Sequence, residues 1–354
     1  MSEPGRHASV GNRRALRIEA PARLHLGFID VSATLGRRFG SLGLAIEELV
    51  TTLTVRTADE FAATGPQAQR ADAHLRHLLD EFGMPDKVAL HVERAIPEHA
   101  GLGSGTQLAL ATGRALCRLL DVHLSTPALA ERLDRGARSG IGIGTFEAGG
   151  FVVDGGRGTG GGPPPIVARL EFPRSWRLLL VFDSQRRGLF GEAERAAFRA
   201  LESFPQAKAA HLAHLTLMRL LPALAESDFV PFGEALGEIQ RAVGDHFAPA
   251  QGGRFTSPRV AAVLQWLEAQ GIAGVGQASW GPTGFGVIDS HARAQALLIE
   301  ARSRFRAEGV DLLVVSGRNR GHREELLEGF REAGLPSLAW SRSSGAVGRA
   351  NGMR

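Results

Sequence analysis

The chain has 354 residues, 44% of them apolar and 22% charged, with a formal net charge of +4; this is enough material for a substantial soluble core and for two domains. No run approaches the roughly 20 apolar residues that span a bilayer, and the polar, basic stretch 1–14 lacks the apolar centre of a secretory signal. Cys117 is the single cysteine, which excludes an internal disulfide framework and fits a reducing cytoplasm.

In chain order, residues 1–15 read as a disordered tail. A strand is predicted over 16–20 and continues through Pro21 to Asp30, with Arg23 and His25 on one face. A glycine-punctuated turn over 36–43 precedes further strand at 44–56. An amphipathic helix over 71–82 stops at Gly83 and Pro85. Residues 88–96 alternate as a half-buried strand does, and 107–120 repeat at helical spacing. A helix over 127–138 leads into the glycine-rich stretch 139–156, then a Gly/Pro loop at 155–165. Strands follow at 168–172 and 176–182, the second apolar enough to be central. The chain is mainly helical over 191–244, with breaks expected at Pro205, Pro222 and Pro231. Next come a helix at 258–270, strands at 274–280 and 284–288, a helix at 292–308, a strand at 311–316 and a last helix at 320–333. Strands and helices mix without regular alternation, so the fold class is α+β. The domains expected are 16–175 and 176–341, with a loose tail at 342–354.

All but two of the 41 basic residues are arginine, Lys87 and Lys208 being the exceptions, and tyrosine is absent. A computed isoelectric point near 10.3 therefore reflects the type of cation rather than a nucleic-acid partner. The arginines are scattered, and no aromatic stacking motif accompanies them.

The most informative stretch runs from Pro97 to Leu110, where a glycine-rich turn feeds directly into a helix. Gly101, Gly103 and Gly105 allow tight folding and close approach to a ligand, and Ser104 and Thr106 supply hydroxyls. The unpartnered amides and the dipole of the helix start form an anion site. Read structurally, the same stretch is an N-capped turn. No Lys follows the last glycine, so it is not a Walker loop, and the spacing fails the dinucleotide fingerprint.

Four further clusters carry candidate chemistry. Arg23, His25 and Asp30 offer a fork for carboxylate or phosphate and a group for a hydroxyl or metal, or are incidental charges on a surface strand. Ser139, Gly140 and Gly142 open a stretch too poor in side chains to fill a core. Gln277, Ser279, Trp280 and Thr283 place an aromatic plane beside hydroxyls, or form a buried hairpin. Arg187 beside Arg186 could grip a phosphate, and Glu194 could approach Mg²⁺ or another divalent cation; a solvated helix start explains the acids equally well.

The wording Pro-x-x-x-Gly-Leu-Gly-Ser-Gly-Thr over 97–106 resembles the phosphate-binding motif of the GHMP superfamily of small-molecule kinases. Gly-Ser-Gly-Thr-Gln-Leu-Ala-Leu, the opening Ala22-Arg23-Leu24-His25 with Asp30, residues 138–156 and the Trp280-Pro282 wording together resemble a non-kinase branch, the beta-ribofuranosylaminobenzene 5'-phosphate synthases. The resemblance implies a two-lobed α+β fold. It further implies condensation of 5-phosphoribosyl 1-pyrophosphate with 4-aminobenzoate or 4-hydroxybenzoate, with loss of carbon dioxide and pyrophosphate, and a homodimer by family habit. An ATP-dependent kinase and a non-catalytic phosphoribosyl pyrophosphate-binding module stay open as alternatives.

Overall fold

The computed structural model describes residues 14–186 and 199–327. Its framework is a long antiparallel hairpin of β1 (Ala15–Asp30) and β2 (Phe39–Thr57). β2 is long enough to serve two neighbours. Its first half pairs with β5 (Phe151–Asp154) and its second half with β4 (Val88–Arg94). β3 (Ala62–Thr64) and β6 (Ile166–Leu170) extend those two wings, and β11 (Arg323–Leu327) closes the other edge against β1. The hairpin register shifts at Pro21/Ala22 and at His25/Gly27; proline cannot donate to the ladder, so the first irregularity has a covalent cause.

A second antiparallel sheet has the order β10-β7-β9-β8, from β7 (Arg177–Asp183), β8 (Val275–Gln277), β9 (Gly284–Ile288) and β10 (Val310–Val315). The apolar run Leu178 to Val181 is fully buried and central there, as its composition predicts. Helices α1 (Ala68–Phe82) and α2 (Ser104–Leu119) cover one core with Ile18, Leu53 and Val55. A larger core joins Leu24 and Leu42 of the first sheet to Leu178 and Leu180 of the second, through Phe232 and Leu236 of a long helix, Phe229–Gln251.

The chain departs from the sequence-based expectations at definable points. β2 begins at Phe39, inside the expected turn, because Ser41 to Leu44 pair with β5. The helix expected over 127–138 is α3 (Thr126–Arg132), ended by Leu133 and by Asp134 at φ 53°. The glycine-rich stretch, expected to be too poor in side chains to fill a core, forms helix α4 (Ile141–Glu147), and its Ile143 and Phe146 pack in the core beneath α1 and α2. Helices α5 (Gln206–Leu215), α6 (Leu221–Glu226) and α7 (Phe229–Gln251) follow, with a π-helical turn, Thr216–Leu220, between the first two. Pro231 breaks nothing, since it sits in the first turn of α7 where its missing N–H has no intrahelical role. Two more helices, α8 (Pro258–Ala269) and α9 (His291–Arg304), pack on the second sheet. The last helix expected, over 320–333, is instead β11 as far as Leu327; edge pairing with β1 outweighs the helix propensity of its Glu and Leu residues.

Candidate functional site

The loop 101–106 is held from three sides. Gly101 and Gly103 adopt φ +77° and +78°, which only glycine takes without strain. A Cβ on Gly101 would lie 2.4 Å from the carbonyl oxygen of Ala278, and one on Gly281 would lie 2.6 Å from Gly101 Cα. Two backbones thus touch, and Thr283 Oγ1 locks them by donating to the Ala100 carbonyl at 2.6 Å. From below, the Arg23 amide donates to the Leu102 carbonyl at 3.0 Å, and Arg23 Nη1 donates to the Gly101 carbonyl at 2.6 Å. The Arg23 stem lies across Gly103, where a Cβ would come within 2.9 Å of Cγ. Helix α2 starts immediately at Ser104, and no side chain among the described residues caps it. Its first amides are therefore presented at the loop, as anion binding requires.

Helix α4 flanks this loop. Gln107 Nε2 donates to the Gly142 carbonyl at 2.8 Å, and Gly142 packs directly on Thr106. The turn into α4 is organised by Asp154, a buried residue that sequence reasoning passed over. Its carboxylate accepts from Ser139 Oγ (3.1 Å) and from the amides of Gly140 (2.8 Å) and Gly156 (2.9 Å). Burial pushes this carboxyl above its usual range, against the pull of those donors. The clue was an acid ending the apolar run Phe151 to Val153.

Two residues beyond Arg23 on β1, His25 is 2% exposed. Burial first, then the charges of Arg23 and Arg138, push its pKa down to about 3, so the ring is neutral. The Gly27 amide donates to Nδ1 at 3.4 Å, which assigns the ring proton to Nε2. Nε2 is buried and has no hydrogen-bond partner among the described residues. His25 lines a narrow pocket of about 30 Å³ with Phe28, Phe247 and Trp280. Phe247 and Trp280 rings lie 4.5 Å apart and tilted, and His25 lies 4.5 Å from Phe28. The glutamines around this pocket are committed: Gln240 bonds the Leu26 carbonyl and the Gln277 amide, and Gln277 bonds the Thr256 amide and the Ser279 carbonyl. Ser279, at φ 56°, donates its amide to the His25 carbonyl at 3.3 Å.

Arg23 and His25, the glycine loop, Ser139 to Gly142, and Gln277 to Thr283 are therefore brought together. Asp30 is not. Its carboxylate accepts from the Ser32 and Thr34 amides and from Thr34 Oγ1, all within the β1–β2 turn, so a catalytic role for Asp30 finds no support in its contacts. Thr283 braces the loop, and Gln277 both braces its neighbours and lines the pocket. Arg187 and Glu194 lie outside the described residues. Within the described residues, no three of His, Cys, Asp and Glu are grouped to hold a metal ion. Arg70, which tertiary structure carries to the loop at Gly105, had no local signal beyond being arginine, and Arg138, whose charge acts on His25, only opens the stretch 138–156.

A glycine loop opening a helix, buttressed by a second glycine turn between two α+β lobes, defines a class. The chain belongs to the GHMP superfamily: residues 70–150 match the GHMP kinases N terminal domain and 220–307 the GHMP kinases C terminal. Within it, the chain is related to the beta-ribofuranosylphenol 5'-phosphate synthase of Archaeoglobus fulgidus, 32% identical over 86% of this chain and 98% of that one. The enzyme of that name from Methanothermobacter thermautotrophicus is 30% identical over 86% and 97%. Among solved structures, homoserine kinase from Cytophaga hutchinsonii shares the fold with TM-score 0.61 and 17% identity, over 91% of this chain and 100% of that chain. Mevalonate diphosphate decarboxylase from Staphylococcus aureus does so with TM-score 0.62 and 14% identity, over 88% and 98%. Among the described residues, no helix is long and apolar enough to cross a membrane.

Proposed function

We propose that the protein is a decarboxylating phosphoribosyltransferase. It joins the anomeric carbon of 5-phosphoribosyl 1-pyrophosphate to the carboxylate-bearing ring carbon of 4-hydroxybenzoate or 4-aminobenzoate, in methanopterin biosynthesis. The observation that carries this reading is that β1 sets two unlike groups two residues apart: Arg23 on the glycine loop, and His25 at a pocket lined by Phe28, Phe247 and Trp280. The phenol in the names of the archaeal relatives favours 4-hydroxybenzoate.

In the reaction the bond from anomeric carbon to pyrophosphate breaks, and its electron pair leaves with pyrophosphate. The α2 amides stabilise the charge that grows there. The ring carbon, enriched by its para donor, forms the new carbon–carbon bond; the bond to the carboxylate then breaks and returns its pair to the ring. Carbon dioxide takes the place of a departing proton, so no general base is needed, and His25, with its pKa pushed down to about 3, is a weak one. His25 Nε2–H and Trp280 orient the aromatic acid, and Arg23 with Arg138 offsets the negative charge of both substrates. A divalent cation such as Mg²⁺ would be held largely by pyrophosphate oxygens, a binding mode that asks few ligands of the protein.

The test is incubation with phosphoribosyl pyrophosphate, Mg²⁺ and each carboxyl-labelled acid. Labelled carbon dioxide in step with pyrophosphate is expected. No release from either acid overturns the reading, and ATP consumed to phosphorylate a small alcohol would place the protein with the kinases.

A further inference from the structure

Arg23 covers one end of the glycine loop, and Arg70 approaches the other, with Arg135 near Arg70 and His74. Arg70, in the first turn of α1, brings Nη2 to 2.7 Å from the point where a side chain on Gly105 would begin. Its Nη1 is held by Glu98 at 2.5 Å and by Gln67 at 3.3 Å. Arg135, in the turn after α3, directs Nη2 at Nε2 of His74 over 3.3 Å. The Nε of Arg135 is buried with no hydrogen-bond partner, and Arg135 makes no ion pair among the described residues. Its charged surroundings are Arg70 and its exposed chain neighbour Asp134. His74 carries no negative charge to offset Arg135; burial, Arg135 and Arg70 push its pKa down to about 4, so its ring is neutral and only accepts from Arg135.

A partly buried guanidinium facing a neutral imidazole and a second guanidinium is unfavourable without an anion. Nothing in the packing requires it: the adjacent turn is already closed by the Arg135 amide on the Ala130 carbonyl. The geometry points to an anion subsite at this place, in which Arg135 and Arg70 take the terminal phosphate of a diphosphate group whose inner phosphate sits on the loop amides. This rests on the reading that a sugar diphosphate is bound, and it orients that substrate. Pyrophosphate lies toward Gly105 and Arg135, and the sugar lies toward Gly103, Arg23 and the aromatic pocket.

Binding of inorganic pyrophosphate, phosphoribosyl pyrophosphate and ribose 5-phosphate to wild type, Arg135→Met and Arg135→Lys by calorimetry tests this. Arg135→Met should weaken pyrophosphate and phosphoribosyl pyrophosphate about ten- to a hundred-fold, the range for a lost charge-assisted contact. Ribose 5-phosphate should bind unchanged, and Arg135→Lys should restore part of the loss. The melting temperature of the unliganded Arg135→Met protein should hold or rise, since an uncompensated charge is removed. Arg135→Gln, which keeps a donor for His74, serves the same comparison if Met is not tolerated. Equal pyrophosphate affinity in variant and wild type, or an equal loss for ribose 5-phosphate, overturns the subsite. Carbon dioxide release by wild type beside an indifferent Arg135 leaves the proposed reaction standing without this subsite; Arg135-dependent pyrophosphate binding without any release does the reverse.

Discussion

Two glycine-rich helix starts meet in this site, at Thr106 and Gly142, and they use glycine for opposite ends. In the loop before α2, Gly101 and Gly103 have φ near +80°, and the backbone is bent to present amides. In α4, Gly140 has φ −80°, and neither Gly142 nor Gly144 is left-handed. There the absent side chains make room: Gly140 for the Pro164 carbonyl, Gly142 for Thr106 and Gly144 for Ile166, with contacts of 2.7–2.8 Å from a notional Cβ. The first stretch is an opening and the second a wedge that fixes its wall. Glycine content alone does not separate the two; backbone sign does.

The sharpest way to break this contrast is Gly101→Val. It combines a left-handed backbone with a Cβ 2.4 Å from a main-chain oxygen that cannot swing away. Loss of measurable turnover and about 3 kcal/mol of stability are expected in a urea melt. Gly103→Val comes next, because its Cβ meets the movable stem of Arg23. A drop of about a hundred-fold in kcat/KM, or about 2.7 kcal/mol, should come with a smaller loss of stability than at Gly101. Wild-type affinity for phosphoribosyl pyrophosphate in Gly103→Val would refute the loop's role.

Arg23→Lys keeps the charge and loses the planar fork that spans Gly101 and the cleft. A fall of about ten- to a hundred-fold in kcat/KM is expected. Leu24→Ala, one residue away but fully buried on the other face, should instead cost about 2–5 kcal/mol of stability with little change in kcat. Wild-type kinetics in Arg23→Lys would reduce Arg23 to a brace for the loop. Gly142→Ala sharpens the wedge side of the contrast. Its methyl meets Thr106 at 2.8 Å, so about 1–3 kcal/mol of overpacking should appear in the melt, with catalysis falling less than about ten-fold.

The smallest effect is a slope against pH. The folded pKa values of His25 and His74, about 3 and about 4, lie below the unfolded value of 6.5. The unfolded chain therefore binds more protons in between, so their contribution is complete above about 6.5 and is lost as pH falls through that window. Asp154, shifted upward, works in the opposite sense. His25→Gln should flatten the acid limb of stability measured between pH 3.5 and 6.5, set by the histidine values just given; an unchanged limb would mean that His25 is not the neutral buried group described. Turnover should show no inflection from His25 between pH 5 and 8, a range lying above its folded value of about 3.

Sequence alone determined what is local: the opening strand with Arg23 and His25 two apart, the glycine loop running into a helix, and the central apolar strand. Each depends on neighbours within a few residues, where spacing and backbone freedom speak directly. Tertiary structure decided the rest. β2 starts early because β5 lies beside it, and 323–327 is a strand because β1 offers an edge. Asp30, promising by proximity, spends its carboxylate on its own turn. Asp154, Arg70 and Arg138 come to the loop, its wall and His25 from positions that no spacing rule links to Gly101. Charge and hydrogen-bonding capacity are written in the residue type, but which charges share a cleft is fixed only when sheets and helices pack.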